Sequence, residues 1–132
     1  MRSLVLVLGD QLDSSSSAFD GFDAKQDAVW MAEVAEESTH VWSSKPRIAM
    51  FLAAMRHFRA SCEQAGRKVH YTALDDRGNT GTLRSELIRA VRRLKPKSLV
   101  ITEPGDFRVA SALESAAEEL GIPLDVRTDR HF

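Results

Sequence analysis

Two carboxylates stand directly after apolar runs that read as buried strands. Asp10 follows Leu4-Val5-Leu6-Val7-Leu8-Gly9, and Glu33 follows Ala28-Val29-Trp30-Met31-Ala32. In an open α/β sheet the carboxyl ends of the strands are where small ligands bind. A carboxylate placed there accepts hydrogen bonds from the N–H and O–H groups of a polar molecule. Either residue could instead cap the helix that follows it. Glu37 and His40 lie three apart on a short helical stretch from Val34 to His40. They share one face, as ligand contacts or as a solvated surface. Gln11 and the turn Glu103-Pro104-Gly105-Asp106 bring further polar groups to strand ends.

Other chemistries are missing. No G-x-G-x-x-G follows the first strand, and there is no phosphate-binding G-x-x-x-x-G-K-[ST]. No G-x-S-x-G nucleophile elbow occurs. His40, His57, His70 and His131 have no metal-ligand spacing with Cys62 or with acids. The residues themselves therefore give no catalytic set.

The elements that must position the carboxylates follow from the apolar pattern. Leu4–Leu8 is apolar at every position, as a strand buried on both faces requires. Gly9 suits a sharp turn at its end. The serine-rich stretch Asp13–Gly21 reads as a solvated loop with at most one helical turn, and Ala28–Ala32 as a second buried strand. A long helix is expected from about Lys45 to Ala65, capped by Ser43 or Ser44, with Pro46 in its first turn and Gly66 at its end. Its apolar stripe is Ile48, Phe51, Leu52, Met55, Phe58, Cys62 and Ala65. A third strand spans Val69–Leu74, and a helix with an arginine-rich outer face spans Thr82–Leu94. That face lacks the interleaved aromatics of a nucleic-acid platform. Ser98–Thr102 is a fourth strand, Asp106–Leu120 a capped helix stopped by Gly121 and Pro123, and Leu124–Arg127 a fifth strand.

Strands alternating with helices call for a doubly wound, mostly parallel five-stranded α/β sheet with helices on both faces, Rossmann-like. Right-handed crossovers favour the order 3-2-1-4-5. The switch point then lies between the first and fourth strands, flanked by Gly9–Leu12 and Glu103–Asp106. The 132 residues are expected to form a single domain. A net charge of −1 gives no general pull towards nucleic acid or acidic membranes. A lone cysteine is incompatible with an internal disulfide framework and with a cysteine-rich cluster in this chain. The N-terminal apolar run is too short for a signal sequence or a membrane span, so a cytoplasmic, soluble protein is expected.

Several blocks resemble one family. Leu8-Gly9-Asp10-Gln11-Leu12, Arg47–Phe58 with its A-M-R-H-F core, Val69-His70-Tyr71, Leu74-Asp75-Asp76 with Asn79-Thr80-Gly81, Glu103–Val109 and Asp129-Arg130-His131-Phe132 carry the likeness. It is to the photolyase-related proteins of the cryptochrome/photolyase superfamily, nearest to bacterial iron–sulfur cryptochromes and (6-4) photolyases. The resemblance implies an N-terminal antenna domain, with the FAD-binding helical domain and the 4Fe-4S region lying outside this chain. The abrupt Asp129–Phe132 ending agrees with a cut at a domain boundary. In this branch the antenna is 6,7-dimethyl-8-ribityllumazine, which passes excitation to the flavin. Carried over by position, it would be held by Gly9, Asp10, Met31, Glu33, Glu37 and His40.

The resemblance further implies that this domain alone is not an enzyme. Its parent would be a photolyase-like DNA repair enzyme or a blue-light photoreceptor. The expected partners are the chromophore and the missing FAD-binding domain, with DNA reached only through the parent and no membrane involved. Two alternatives stand beside this reading: a stand-alone nucleotide- or flavin-binding α/β protein, and a non-catalytic interaction domain.

Overall fold

Parallel strands buried on both faces must be largely apolar, and the three central strands of the sheet are such runs, whereas the two edge strands, VHYT and LDVR, mix polar and apolar residues. A computed structural model describes residues 1–35 and 45–128, the side chains of 45 and 46 excepted. The strands are β1 (Ser3–Leu6), β2 (Asp27–Ala32), β3 (Val69–Thr72), β4 (Ser98–Thr102) and β5 (Leu124–Arg127). The helices are α1 (Lys45–Gln64), α2 (Leu83–Leu94) and α3 (Phe107–Leu120). All five strands are parallel and the order is β3-β2-β1-β4-β5, as expected. Val5 of β1 pairs with Val29 on one side and Val100 on the other. The expected Val34–His40 helix beyond Ala35, the Ser43 or Ser44 cap and the Asp129–Phe132 ending lie outside the described residues.

The alternation of side chains along each strand divides the core into two layers. Leu4, Leu6, Leu8, Trp30, Leu99 and Ile101 face α2 and α3. Val5, Val7, Val29, Met31 and Val100 face α1 and a short 3-10 turn at Ser17–Phe19. This is the division that right-handed crossovers impose. The path from β1 through β2 to β3 runs one way across the sheet, and the path from β3 through β4 to β5 runs the other. Residues 7 and 8 remain buried past the end of β1, and Val7 N still donates to Trp30 O at 3.0 Å.

The helix boundaries have local causes. Thr82 Oγ1 accepts from Ser85 N at 3.1 Å to start α2. Asp106 Oδ1 accepts from Arg108 N at 2.8 Å to start α3, and Gly121, at φ 66°, stops it. Among the described residues no helix is long and apolar enough to cross a membrane.

One expectation needs correcting. The serine-rich stretch is not a solvated loop throughout, because Ser16, Ser17, Ala18 and Phe19 are buried. Polar partners make this burial tolerable. Ser17 Oγ donates to Thr128 O at 2.7 Å, and Arg127 Nη1 donates to Ser17 O and Asp20 O at 2.9 and 2.8 Å. Phe19 packs beside Phe58, and the Arg67 guanidinium lies 4.2 Å from the Phe19 ring centre.

Leu87 of α2 is wholly buried against the sheet. Leu87→Ala is expected to remove about 3 kcal/mol of stability, read as a lower urea midpoint at an unchanged denaturant slope.

Candidate functional site

The carboxyl ends of β1 and β2 form the ground of the site. Gly9 follows β1 and is buried. Its need for glycine is steric rather than conformational: a Cβ there would lie 2.0 Å from Phe51 Cζ. The expected sharp turn is present, Gln11 N donating to Leu8 O at 2.9 Å, and to it is added a close approach in which the Phe51 ring of α1 lies over the glycine. Phe51 also packs on the α1-side core, to which Met31 belongs. Met31 is fully buried there. Asp10, beside Gly9, is exposed.

Gln11 closes the other side. Its Nε2 donates to Thr102 O at 2.9 Å and to Glu103 O at 3.4 Å, across the point where the winding of the sheet reverses. The two turns flanking the switch point are therefore tied together.

Glu33, just past β2, is about 1% exposed. Arg56 of α1 grips it in a two-pronged pair, with Nε donating to Oε2 at 2.7 Å and Nη2 to Oε1 at 2.8 Å. Tyr71 Oη of β3 also donates to Oε2, and Leu74 N to Oε1 at 2.8 Å. Two carboxylate oxygens offer about four acceptor directions, and four donors occupy them. Asn79 extends the network, its Nδ2 donating to Glu33 O at 2.7 Å and to Ala73 O at 2.9 Å. Burial pushes the Glu33 carboxyl up, but the Arg56, Tyr71 and Leu74 hydrogen bonds outweigh it and hold the group below its ordinary value. The Tyr71 hydroxyl is pushed up by burial and by its bond to Glu33, so it stays protonated as a donor.

The structure thus brings Gly9, Asp10 and Glu33 to one edge, sets Met31 into the core behind them, and leaves Glu37 and His40 outside the described residues. Sequence reasoning missed Phe51 as a contact of Gly9, and Arg56, Tyr71 and Asn79 as the partners of Glu33. A usable signal existed: an acid at the end of a fully apolar strand needs a buried partner. Among the described residues no group of three or more His, Cys, Asp or Glu could hold a metal.

Two outcomes follow from this geometry. Glu33→Gln leaves Arg56 and the four-donor socket unmatched. It is expected to cost about 2 kcal/mol, below the usual range for a broken buried pair because the Arg56 side chain is 54% exposed. Because the folded Glu33 pKa is depressed, its stabilisation is present above the unfolded value of about 4.3 and fades as pH falls through the folded value. Denaturation followed against pH is expected to show a weaker acid dependence in the variant. Gly9→Ala must displace the Phe51 ring and is expected to cost about 1–2 kcal/mol. Most of that cost is expected to vanish in a Phe51→Ala background when the double-mutant cycle is measured.

Comparison with known proteins places this geometry in a family. Residues 5–132 match the model of the deoxyribodipyrimidine photo-lyase-related proteins. The whole chain is 43% identical over 132 residues to a (6-4) photolyase of Agrobacterium fabrum (strain C58 / ATCC 33970) and spans 26% of that protein's length. Among solved structures, GalB, the 4-carboxy-2-hydroxymuconate hydratase from Pseudomonas putida KT2440, superposes with a TM-score of 0.52 at 16% identity. That match covers 89% of this chain and 56% of that one, and it is a likeness of α/β fold alone. With the family model matched from Val5 to Phe132, the chain belongs to the deoxyribodipyrimidine photo-lyase-related family.

Proposed function

We propose that this chain is the light-collecting domain of a photolyase-like protein, holding 6,7-dimethyl-8-ribityllumazine at the carboxyl ends of β1 and β2. The observation that carries the reading is the Gly9–Phe51 contact beside exposed Asp10. The Phe51 ring, seated on Gly9, offers an aromatic wall on which a planar heterocycle can stack. A neighbouring carboxylate suits the N–H and hydroxyl groups of a ribityl-bearing ring. When bound, the lumazine would absorb light and transfer excitation.

In this reading Asp10 accepts from the chromophore, and Gly9 lets Phe51 sit close against the backbone as one wall of the site. Met31 supports the floor from within the core. Glu33 acts at one remove, holding Arg56 and Tyr71 in place. Glu37 and His40 complete the site. The acceptor of excitation would be FAD in a longer parent that also carries a 4Fe-4S cluster. That parent would repair DNA or signal in blue light. Membership of a family with a (6-4) photolyase relative supports this assignment.

Titration of the chain with 6,7-dimethyl-8-ribityllumazine, followed by absorption and fluorescence, tests the proposal. Saturable binding is expected, weakened about tenfold or more by Asp10→Ala or Glu37→Ala, the usual scale for loss of a charge-assisted hydrogen bond. Failure of the unsubstituted chain to bind, or equal affinity in both variants, would overturn the site.

A further inference from the structure

The cations of this chain are unevenly placed. From Leu87 to Thr102 there are five and no acid: Arg89, Arg92, Arg93, Lys95 and Lys97. All five are exposed. Arg92 and Arg93 lie three and four residues beyond Arg89, so the three share the outer face of α2. Arg89 is tied down, Nη1 donating to Gly78 O and Nη2 to Glu86 Oε1, both at 2.7 Å. The other four have no carboxylate partner among the described residues. Nearby acids are engaged or turned away. Glu86 is buried and held by Arg89 and by Thr80 N and Oγ1, and Glu119 of α3 is paired with Arg84 at 2.8 Å. Because Glu119 meets α2, helical spacing sets Glu114 on the far side of α3 and Glu118 outward. Across the amino edge Asp27 is paired with Arg2, and Glu63 with Arg59.

Two further features belong to this patch. Lys95 caps α2 at φ 52°, the one non-glycine residue with positive φ among those described. Glycine is favoured at such a cap, so a lysine keeps its charge there at a conformational cost. Burial lowers the His70 pKa, and Lys68 and Arg93 lower it further with no carboxylate opposing them. The positive field thus extends from α2 to the start of β3. Cations at a helix C-terminus also suit the helix dipole. That accounts for Arg92 and Arg93. It does not account for Lys97, three residues past Leu94, or for a lysine where glycine would sit with less strain.

A partner that neutralises this face must carry closely spaced negative charge. A nucleic-acid backbone and an acidic bilayer both do. Basic helices that lie on bilayers add apolar side chains that enter the acyl boundary. The outer face of α2 has none, since the large exposed apolar residues among those described are Met1, Met50, Phe107 and Val126. A duplex backbone asks only for cations. The missing aromatics count against single-strand stacking and not against a duplex.

We infer that the outer face of α2, continued by Lys95 and Lys97, is a contact for the phosphate backbone of duplex DNA, indifferent to base sequence. Phosphate contacts of this kind position a protein and leave base recognition to other groups. The inference rests on the reading of the parent as a protein that acts on DNA. The unpaired cations lie at the C-terminal end of α2, apart from the chromophore site at the carboxyl ends of β1 and β2.

Fluorescence anisotropy of a labelled, undamaged duplex titrated with the 132-residue chain tests this without chromophore, so it stands apart from the lumazine titration. A dissociation constant on the order of 10⁻⁵ M is expected at low salt. With four phosphates neutralised, log K should fall against log salt with a slope of about −3.6, a loss of about a hundredfold between 50 and 200 mM. Arg92→Gln, Arg93→Gln and Lys97→Gln should each reduce the slope by about 0.9, and Lys25→Gln and Arg77→Gln should leave it unchanged. Lys95→Gly separates binding from folding: it is expected to raise the melting temperature while reducing the slope by the same amount. No binding by the unsubstituted chain, or a slope that survives the four changes together, would overturn the proposal. So would attachment to phosphatidylserine vesicles in place of DNA, which would give the face to a membrane. A longer parent whose duplex affinity is unaltered by the four changes would leave its action on DNA standing and remove this face from it.

Discussion

A carboxylate almost wholly out of water dictates the arrangement around it. Glu33 follows the buried run Ala28–Ala32 of β2 and cannot stay charged there without donors. α1 supplies Arg56, β3 supplies Tyr71, and the following turn supplies Leu74 N. Each donor comes from a different element, so one ion fixes the seating of α1, the edge strand and a loop at once. The Asn79 side chain then locks that loop onto the Glu33 carbonyl. The ground beside β1, where Phe51 meets Gly9, inherits its shape from the same placement of α1. Arg56 keeps part of its side chain in water, which lowers the desolvation cost that makes fully buried pairs poor stabilisers.

Much of the fold was legible in the sequence because its signals were redundant. Ser98–Thr102 was bounded by the turn Glu103–Asp106 and Leu124–Arg127 by Gly121 and Pro123, and the observed strands have those limits. Asp106 and Thr82 are helix caps by chemistry and by geometry. Parallel strands without alternation, separated by amphipathic helices, left few topologies, and handedness chose among them. The serine-rich turn was misread because polarity suggests exposure. Ser16 and Ser17 are small enough to be buried when partners are at hand, and one such partner, Arg127, is 110 residues away in sequence.

The site was less legible, for a related reason. Asp10 and Glu33 could be placed at strand ends from pattern alone, yet their environments diverge. One is open to solvent and the other is saturated by neighbours. Whether an acid is free depends on donors that arrive from elsewhere in the chain. Arg56 lies outside the apolar stripe of α1, and nothing local marked it as the partner of Glu33. Gly9 does sit in the expected turn, but the turn is not what requires a glycine. Its φ is ordinary for any residue, and what forbids a side chain is an aromatic ring placed by packing more than forty residues away.

The 3-10 turn at Ser17–Phe19 leaves the sheet unevenly roofed. Over β4 and β5, one face carries the fourteen-residue α3. The other carries this short turn, pinned by Arg127, Ser17 Oγ and a weak Thr102–Ser16 contact. Local opening follows the cheapest cover, and a three-residue turn held by a few hydrogen bonds and the packing of Ala18 and Phe19 detaches at less cost than a packed helix. Amide exchange in β5 should then proceed by lifting of this turn, well below the free energy of global unfolding. The β1–β2 ladder beneath α1 would open only with the whole molecule. The domain would thus have a rigid half that bears the site and a softer half that breathes.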